Sequence, residues 1–272
     1  MKASLRKVSL SLLVVIAMGL GTYAHAEPPA APAGYKLVPE DLTADLNVSL
    51  YSQYIWRGFE LSRDSLVIFP QLTVGYKGFA ATVWADLDTN FANPPDGEEK
   101  DFRLQETDVI LTYSNSYKPW KLNYTLGWIY YDTDGANGRT PFKNQELFLT
   151  LGLDTLLKPT FSVYQEIEIG QAWYFTLGLS HSFAVYRDWS LDMGGWVSYL
   201  HDKSNPENFG NFHDGNISAG VKIPLNNNLS IKPNLQWSFP LSGQAADRLK
   251  AGSFNGRHNT FVYGGIILDL AI

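Results

Sequence analysis

Most of the chain repeats one pattern, in which about ten residues alternate between apolar and polar before a turn. The stretch from Leu122 to Trp128 shows it, and so does the stretch from Leu229 to Trp237. Alternation with a period of two gives a strand whose two faces meet different surroundings. Repeated along a whole chain, it predicts an all-β fold, a transmembrane up-and-down antiparallel β-barrel of an outer membrane.

The pattern divides into twelve predicted strands, an even number that lets both chain ends lie on the periplasmic side of a bacterial barrel. Short turns such as Lys77-Gly78 alternate with longer polar stretches such as 201–214, and Gly170-Gln171 is the exception. We therefore expect short periplasmic turns and longer extracellular loops. The predicted strands are 45–56, 66–76, 79–89, 102–113, 120–131, 145–154, 160–169, 172–183, 189–200, 215–223, 228–239 and 258–271.

The first 26 residues have the form of a secretory signal peptide, with a basic start, an apolar run over 10–20 and an A-x-A cleavage site at Ala24-His25-Ala26. That run is shorter than the ~20 residues a membrane-spanning helix needs. No later stretch is apolar enough for such a helix, so membrane insertion would have to use strands. We expect the Pro/Ala-rich segment 27–44 to be a periplasmic leader, or else a partial plug of the lumen. Residues 45–272 are expected to form the barrel.

Composition and charge agree with export to the bacterial outer membrane of a Gram-negative cell. The predicted signal peptide holds three of the 21 Lys and Arg residues and none of the 27 Asp and Glu, which leaves a net charge of −9. This acidity disfavours nucleic acid as a partner. The chain has no cysteine, and 14% of its residues are aromatic, as suits a membrane interface. The expected partners are outer-membrane lipid, lipopolysaccharide and small solutes; no cofactor is indicated.

A more specific pattern lies within residues 47–90. It begins Ser49-Leu50-Tyr51-Ser52-Gln53-Tyr54-Ile55-Trp56-Arg57-Gly58-Phe59 and continues with Gly75-Tyr76-Lys77-Gly78-Phe79 and Val83-Trp84-Ala85. Tyr54, Arg57 and Gly58 match the Ser-x-Tyr-x-x-Arg-Gly opening of the first hairpin in the TorF-like family of outer-membrane porins. The segment resembles that family, and the resemblance implies a barrel of porin type.

The end of the chain carries a second resemblance. Tyr263-x-Gly265-x-x-Leu268-x-Leu270 is similar to the β-signal read by the outer-membrane assembly machinery, which is therefore an expected partner. The chain ends at Ile272, where that signal usually has an aromatic residue. The alternative is that these residues are simply the last amphipathic strand.

The inward face is expected to carry eight acids and three bases. Incomplete pairing would make the lumen negative and concentrate cations. This predicts passive diffusion of small hydrophilic solutes or ions through a narrow, acidic-leaning lumen with a weak cation preference. The alternative is that the charges pair across a closed barrel used for structure or surface recognition. The expected pore-lining residues are Arg57, Asp86, Asp88, Glu106, Asp108, Glu146, Glu166, Glu168, Asp192, Lys222 and Lys232.

Bulky inward side chains could narrow or fill such a lumen. Twelve strands lie between the eight of filled barrels and the 16–18 of broad channels. Inward aromatics would either pack the interior or form a stacking track for planar solutes. They are Trp84, Tyr131, Phe148, Tyr164, Trp196, Phe261 and Tyr263. The outward face of the first strand is expected to show Leu46, Val48, Leu50, Tyr54 and Trp56, and Pro70 and Pro233 should produce bulges or widened pairing within their strands.

Two sets of residues could belong to a catalytic site or a metal site, but neither set is complete. Ser180-His181-Ser182 resembles the Ser-His pair of a barrel hydrolase, but adjacent residues of a strand point to opposite faces, and no acid is placed to orient the histidine. His201-Asp202, His213-Asp214 and His258 could supply metal ligands or could simply be solvated. We therefore expect neither catalysis nor a metal site.

Overall fold

The computed structural model describes residues 41–90, 102–134, 141–203 and 208–271. It shows a closed barrel of twelve antiparallel strands, which confirms the predicted fold. The predicted signal peptide and residues 27–40 lie outside the described residues. The strands are β1 (Leu42–Tyr51), β2 (Ile55–Trp56), β3 (Phe59–Glu60), β4 (Val67–Tyr76), β5 (Phe79–Asp88), β6 (Arg103–Tyr117), β7 (Leu122–Thr133), β8 (Phe142–Leu153), β9 (Thr160–Glu166), β10 (Trp173–Tyr186), β11 (Trp189–Asp202), β12 (Phe209–Pro224), β13 (Leu229–Pro240) and β14 (Phe261–Ala271).

Twelve of these strands, β1 and β4 to β14, form the wall, and each pairs with a neighbour on both sides. Strand β1 closes the cylinder by pairing with β4 and with β14, so the wall offers no edge for another strand. The two-residue strands β2 and β3 pair only with each other among the described strands and stand apart from the wall.

The two ends of the barrel differ as predicted. Short turns at 77–78, 118–121, 154–159, 187–188 and 225–228 lie at one end, together with the start of β1 and the end of β14; we call it the short-turn end. The opposite end is the long-loop end. Lys77 and Gly78 have φ angles of 50° and 89°. Positive φ at both central residues is the type I′ turn that suits the twist of a two-residue hairpin.

The outward face is an apolar belt. Large side chains such as Leu72, Val83 and Leu235 point away from the lumen and are about half exposed. Exposed aromatic residues mark both borders of the belt, among them Trp120 near the short-turn end and Trp237 near the long-loop end. Amphipathic rings at these two levels are the girdles expected of a membrane barrel.

Pro70 and Pro233 widen the pairing without shifting the register. Between β4 and β5 the paired residues pass from Ile68↔Leu87 directly to Gln71↔Trp84. Between β12 and β13 they pass from Gly220↔Asn234 to Ile223↔Ile231. Each proline lacks a backbone N–H, so the ladder opens on one side of it and resumes unchanged. This confirms the expectation of widened pairing.

The first strand ends earlier than predicted. β1 stops at Tyr51 rather than at residue 56, and Tyr54 and Trp56 do not face outward. After Tyr51 the chain turns into the barrel instead of continuing along the wall, so Tyr54 is buried and Trp56 is partly buried inside. Alternation alone could not reveal this, because a strand and an inward hairpin show the same period of two.

The connection from β13 to β14 contains a helix that the sequence pattern did not predict, α1 (Gly243–Ala251). Ser242 caps its first turn by accepting a hydrogen bond from the Ala245 amide. Within the described part of the chain, no helix has the length and apolar character needed to cross a membrane.

A glycine at the closing seam gives a test of the barrel geometry. A Cβ on Gly265 would lie 1.8 Å from the Leu50 carbonyl oxygen on the neighbouring strand, where the backbone cannot yield. We expect Gly265→Ala to lower the free energy of unfolding by about 1–3 kcal/mol, because the two strands must separate to admit the methyl group. Urea unfolding of the refolded protein in detergent measures it.

Gly243→Ala is the matched control, since a Cβ there meets nothing within 4 Å. Equal effects of the two alanines would contradict the seam described above.

Candidate functional site: a lumen occluded by an inward hairpin

The connection between β1 and β4, residues 52–66, folds into the lumen; we call it the inner hairpin. Its strands β2 and β3 are joined by Arg57 and Gly58, whose φ angles of 48° and 78° make a type I′ turn. The Leu61 amide donates to the Tyr54 carbonyl over 2.9 Å, and the Tyr54 amide donates to Ser62 Oγ over 2.7 Å. The Tyr-x-x-Arg-Gly pattern in the sequence therefore builds the tip of this hairpin.

Arg57 fixes the tip to the wall. Its Nη1 and Nη2 atoms donate to the two carboxylate oxygens of Glu146 on β8 over 2.9 and 2.6 Å, and both side chains are buried. Because the guanidinium keeps its charge, burial without a partner would be very costly. The bidentate geometry supplies that partner.

Aromatic rings surround the same guanidinium. Its central carbon lies 4.5 Å from the ring centre of Trp56, 5.1 Å from that of Tyr164 and 4.4 Å from that of Tyr174. Such cation–π contacts are strongest where water is excluded. The Tyr131 hydroxyl also donates to Glu146 over 3.0 Å, so both members of the ion pair are held in place.

The space at the tip admits only a glycine. A Cβ on Gly58 would lie 2.8 Å from Leu249 Cδ1 and 3.0 Å from the Asp214 Cβ. Next to it, the Arg57 carbonyl oxygen lies 3.1 Å from His213 Nε2. The tip therefore sits between β12 and α1, in contact with both.

The long-loop half of the lumen is filled by side chains. Tyr54 of the inner hairpin packs against Phe69 and Trp84, with ring centres 5.2 and 5.8 Å apart, and its hydroxyl donates to Glu106. The aromatic residues predicted to face inward join this cluster: Trp84, Tyr131, Phe148, Tyr164, Phe261 and Tyr263 are buried, and Trp196 is partly buried. Side chains so far removed from solvent cannot line a water-filled channel, so these rings pack the interior rather than form an open track.

Most of the predicted lumen acids lie within this filled half. Asp86 stands directly opposite Glu106 in the pairing of β5 and β6, and a bulge beside Asp86 turns Gln105 inward as well. Gln105 Nε2 donates to Asp86 over 2.8 Å. Asp88 and Asp108 are also buried. In the closed barrel these acids are shielded from water by the inner hairpin and the wall.

The short-turn half is different, and we call it the vestibule. Its inward-facing side chains are partly exposed, among them Asp192, Lys222 and Lys232, which were predicted to line the pore, and Asp45, which was not. Lys232 Nζ lies 2.7 Å from Asp192. Paired hydroxyls line the rest, as between Thr73 and Thr82 at 2.8 Å and Ser114 and Thr125 at 2.9 Å. Among the described residues, the inward side chains of this half are therefore less tightly packed than those of the long-loop half.

Two predicted lumen acids lie near the rim at the long-loop end. Glu166 is the last residue of β9 and accepts a hydrogen bond from Asn144. Glu168 differs from expectation: it lies beyond the strand, is exposed, and accepts from Gln145, whose neighbours Asn144 and Glu146 are the inward-facing ones. Because β9 ends at Glu166, the alternation used to place Glu168 no longer applies there.

The histidines do not gather. His181 faces outward and contacts the Leu156 carbonyl, whereas Ser182 faces the lumen and donates to Asp192 over 2.6 Å. His213 is buried beside the inner hairpin, while Asp202 pairs with Arg248. Over residues 41–90, 102–134, 141–203 and 208–271, no group of three or more His, Asp or Glu side chains is arranged to hold a metal ion.

The sequence of the barrel matches one family model. The family is described as bacterial protein of unknown function (Gcw_chp), and its model matches residues 38–231. The chain belongs to the Gcw_chp family. Its match includes the whole inner hairpin and the strand that carries Glu146. No curated protein sequence matches the Gcw_chp chain.

Three solved structures similar to the Gcw_chp chain are outer-membrane barrels. The NanC porin aligns with a TM-score of 0.51 at 10% identity, over 84% of this chain and 98% of that one. LpxR from Salmonella typhimurium gives 0.48 at 8% identity, over 83% and 99%. Outer membrane phospholipase A from Escherichia coli gives 0.44 at 12% identity, over 87% and 98%.

These similarities bear on the fold alone. At 10% identity, the similarity to the NanC porin shows the fold and does not identify a function. The closed twelve-stranded barrel and its bacterial neighbours identify the Gcw_chp chain as an outer-membrane protein with a porin-like fold.

The buried ion pair makes a testable prediction. Arg57→Met or Glu146→Met alone leaves an unpaired buried charge, so each should lower the free energy of unfolding of the closed state by about 3–5 kcal/mol. The double variant removes both charges, so its free energy of unfolding should lie within about 1 kcal/mol of that of the parent. The small loss that remains reflects the Tyr131 hydroxyl, which no longer has Glu146 as its acceptor. Urea unfolding in detergent, analysed as a double-mutant cycle, measures this coupling.

Lys77→Met is the control, because the Lys77–Asp41 ion pair is exposed and its loss should have no measurable effect. Additive losses in the Arg57 and Glu146 double variant would contradict the pairing.

Proposed function

We propose that this protein is an outer-membrane channel for small hydrophilic solutes or ions, and that the inner hairpin closes it in the state described here. The observation that carries the proposal is the attachment of the hairpin tip to the opposite wall through the Arg57–Glu146 pair. The resemblance of residues 47–90 to the TorF-like family supports a porin. The partly exposed polar side chains of the vestibule also support a path for hydrophilic solutes.

The wall does not need the inner hairpin. Strand β1 pairs with β4 and β14 along its length, and β2 and β3 lie outside that sheet. The hairpin could therefore leave the lumen without breaking the barrel. A piece that closes a channel and can be withdrawn from it is the structural requirement for a gate.

Withdrawal would also expose the acids of the wall to water. Arg57 and Glu60 would leave with the hairpin, while Glu146 stays on β8 and Asp86, Glu106 and Asp108 stay on β5 and β6. The open lumen would then carry the excess of acids that the sequence predicts. Such a lining attracts cations and repels anions, so we propose a weak cation preference for the open state.

The second candidate is a permanently occluded barrel for structure or surface recognition. The dense ring packing of Tyr54 against Phe69 and Trp84 favours it, because withdrawal must separate these rings. We propose no catalytic role, since His181 and Ser182 lie on opposite faces of β10. Outer-membrane lipid, lipopolysaccharide and the assembly machinery remain proposed partners.

Conductance in a planar bilayer tests the channel. Arg57→Met leaves Glu146 unpaired in the closed state and hydrated in the open one, so the open fraction should rise by about tenfold or more over the parent. Arg57→Met with Glu146→Met has no buried charge and should stay as closed as the parent. A folded Arg57→Met protein without conductance would leave the occluded barrel as the better reading.

The reversal potential of the Arg57→Met channel under a KCl gradient tests its selectivity. We expect a weak preference for potassium, because the lining acids outnumber the bases. Asp86→Asn combined with Glu106→Gln should reduce that preference, while Asp132→Asn, on the outward face of β7, should leave it unchanged. A reversal potential that shows a preference for chloride would contradict the proposed selectivity.

A further inference from the structure

Helix α1 and the residues after it, 243–260, cover the inner hairpin from the long-loop end; we call this segment the clasp. Leu249 is fully buried and contacts the site of Gly58 at the hairpin tip. The Phe254 amide donates to Glu60 Oε2 over 2.9 Å, which joins the clasp to β3. The clasp therefore touches the hairpin at its tip and along its second strand.

Arg248 links the clasp to both the hairpin and the wall. It pairs with Asp202 at the end of β11, and its guanidinium lies 5.9 Å from the ring centre of Phe59 and 5.0 Å from that of Phe209. Phe59 belongs to the inner hairpin and Phe209 to β12. One side chain thus bridges three elements at the long-loop end.

The clasp is separately tied to the barrel rim. Ser242 Oγ donates to the Phe212 carbonyl over 2.7 Å, and Asn211 Nδ2 donates to Gln244 over 2.9 Å. The Leu241 amide donates to the His213 carbonyl over 2.9 Å. None of these three contacts involves the inner hairpin, so α1 has its own attachment to β12 in the closed state.

The inner hairpin would have to leave the lumen on the side where the clasp contacts it. The inner hairpin joins the wall at Tyr51 and Val67, both at the long-loop end, so it can leave the lumen only toward that end. Leu249 contacts the hairpin tip and Arg248 lies beside Phe59, so withdrawal must break or displace these contacts.

We propose that the clasp is a second lock, which must lift before the inner hairpin can leave the lumen. The inference rests on the proposed channel function and adds its regulation. Loss of the Arg57–Glu146 pair releases the tip, but opening still requires movement of α1. Control therefore lies at the outer rim, where Arg248 and Asp202 meet, rather than at the buried ion pair alone.

A reversible link between α1 and β12 tests the order of events. The chain has no cysteine, so Asn211→Cys and Gln244→Cys can be added to the Arg57→Met protein without competing thiols. A short bis-thiosulfonate reagent then joins them. We expect the link to reduce the open fraction by about tenfold or more, and a reductant to restore it, because the clasp can no longer lift.

The matched control places cysteines at Asp132 and Lys143, an exposed ion pair at the same end of the barrel on β7 and β8. Linking them should leave the open fraction of the Arg57→Met protein unchanged. If the linked clasp still opens like the unlinked one, the second lock is refuted while the channel stands. If unlinked Arg57→Met does not conduct at all, the channel proposal fails and this inference fails with it.

Thiol labelling gives an independent readout that needs no link. Ser62 of the inner hairpin is fully buried, so a cysteine there reports withdrawal by reacting with a bulky polar thiol reagent. In the Ser62→Cys protein, Arg248→Met should speed the labelling several-fold. Lys250→Met, which changes an exposed residue of the same helix, should not. Equal rates in the two variants would refute the role of the clasp.

Discussion

The occluded lumen depends on pairing the charges that are buried inside it. Arg57 without Glu146, or Glu146 without Arg57, would cost about 3–5 kcal/mol inside the barrel. Their bidentate contact, enclosed by Trp56, Tyr164 and Tyr174, lets a charged turn occupy the centre of a membrane protein. The inner hairpin can fill the long-loop half with Arg57 at its tip because this contact matches the buried charge.

The wall itself could be predicted closely from the sequence. All twelve strands were located, because each must present apolar side chains to lipid and polar ones to the lumen, and this requirement leaves a period of two in the residues. Pro70 and Pro233 also behaved as expected, since the missing N–H acts locally. Strand positions and proline effects could be predicted because they depend on residues within each strand.

The candidate site could be predicted only in part from the sequence, because it depends on contacts between residues that are far apart in the chain. Arg57 and Glu146 were both predicted to face the lumen, yet nothing in the sequence paired them. Arg57-Gly58 was a usable signal that was missed, since two adjacent residues able to adopt positive φ mark a tight hairpin. Helix α1 was missed because its stabilising contacts, such as that of Leu249 with the inner hairpin, come from the folded loops rather than from local sequence.

The span of the ion pair has a consequence for how a newly made copy matures. Arg57 and Glu146 are 89 residues apart, and Glu146 points into the cylinder only once β8 has its neighbours on both sides. We therefore expect the inner hairpin to take its final position only after β8 has paired with β7 and β9, because the ion pair needs Glu146 in its inward orientation.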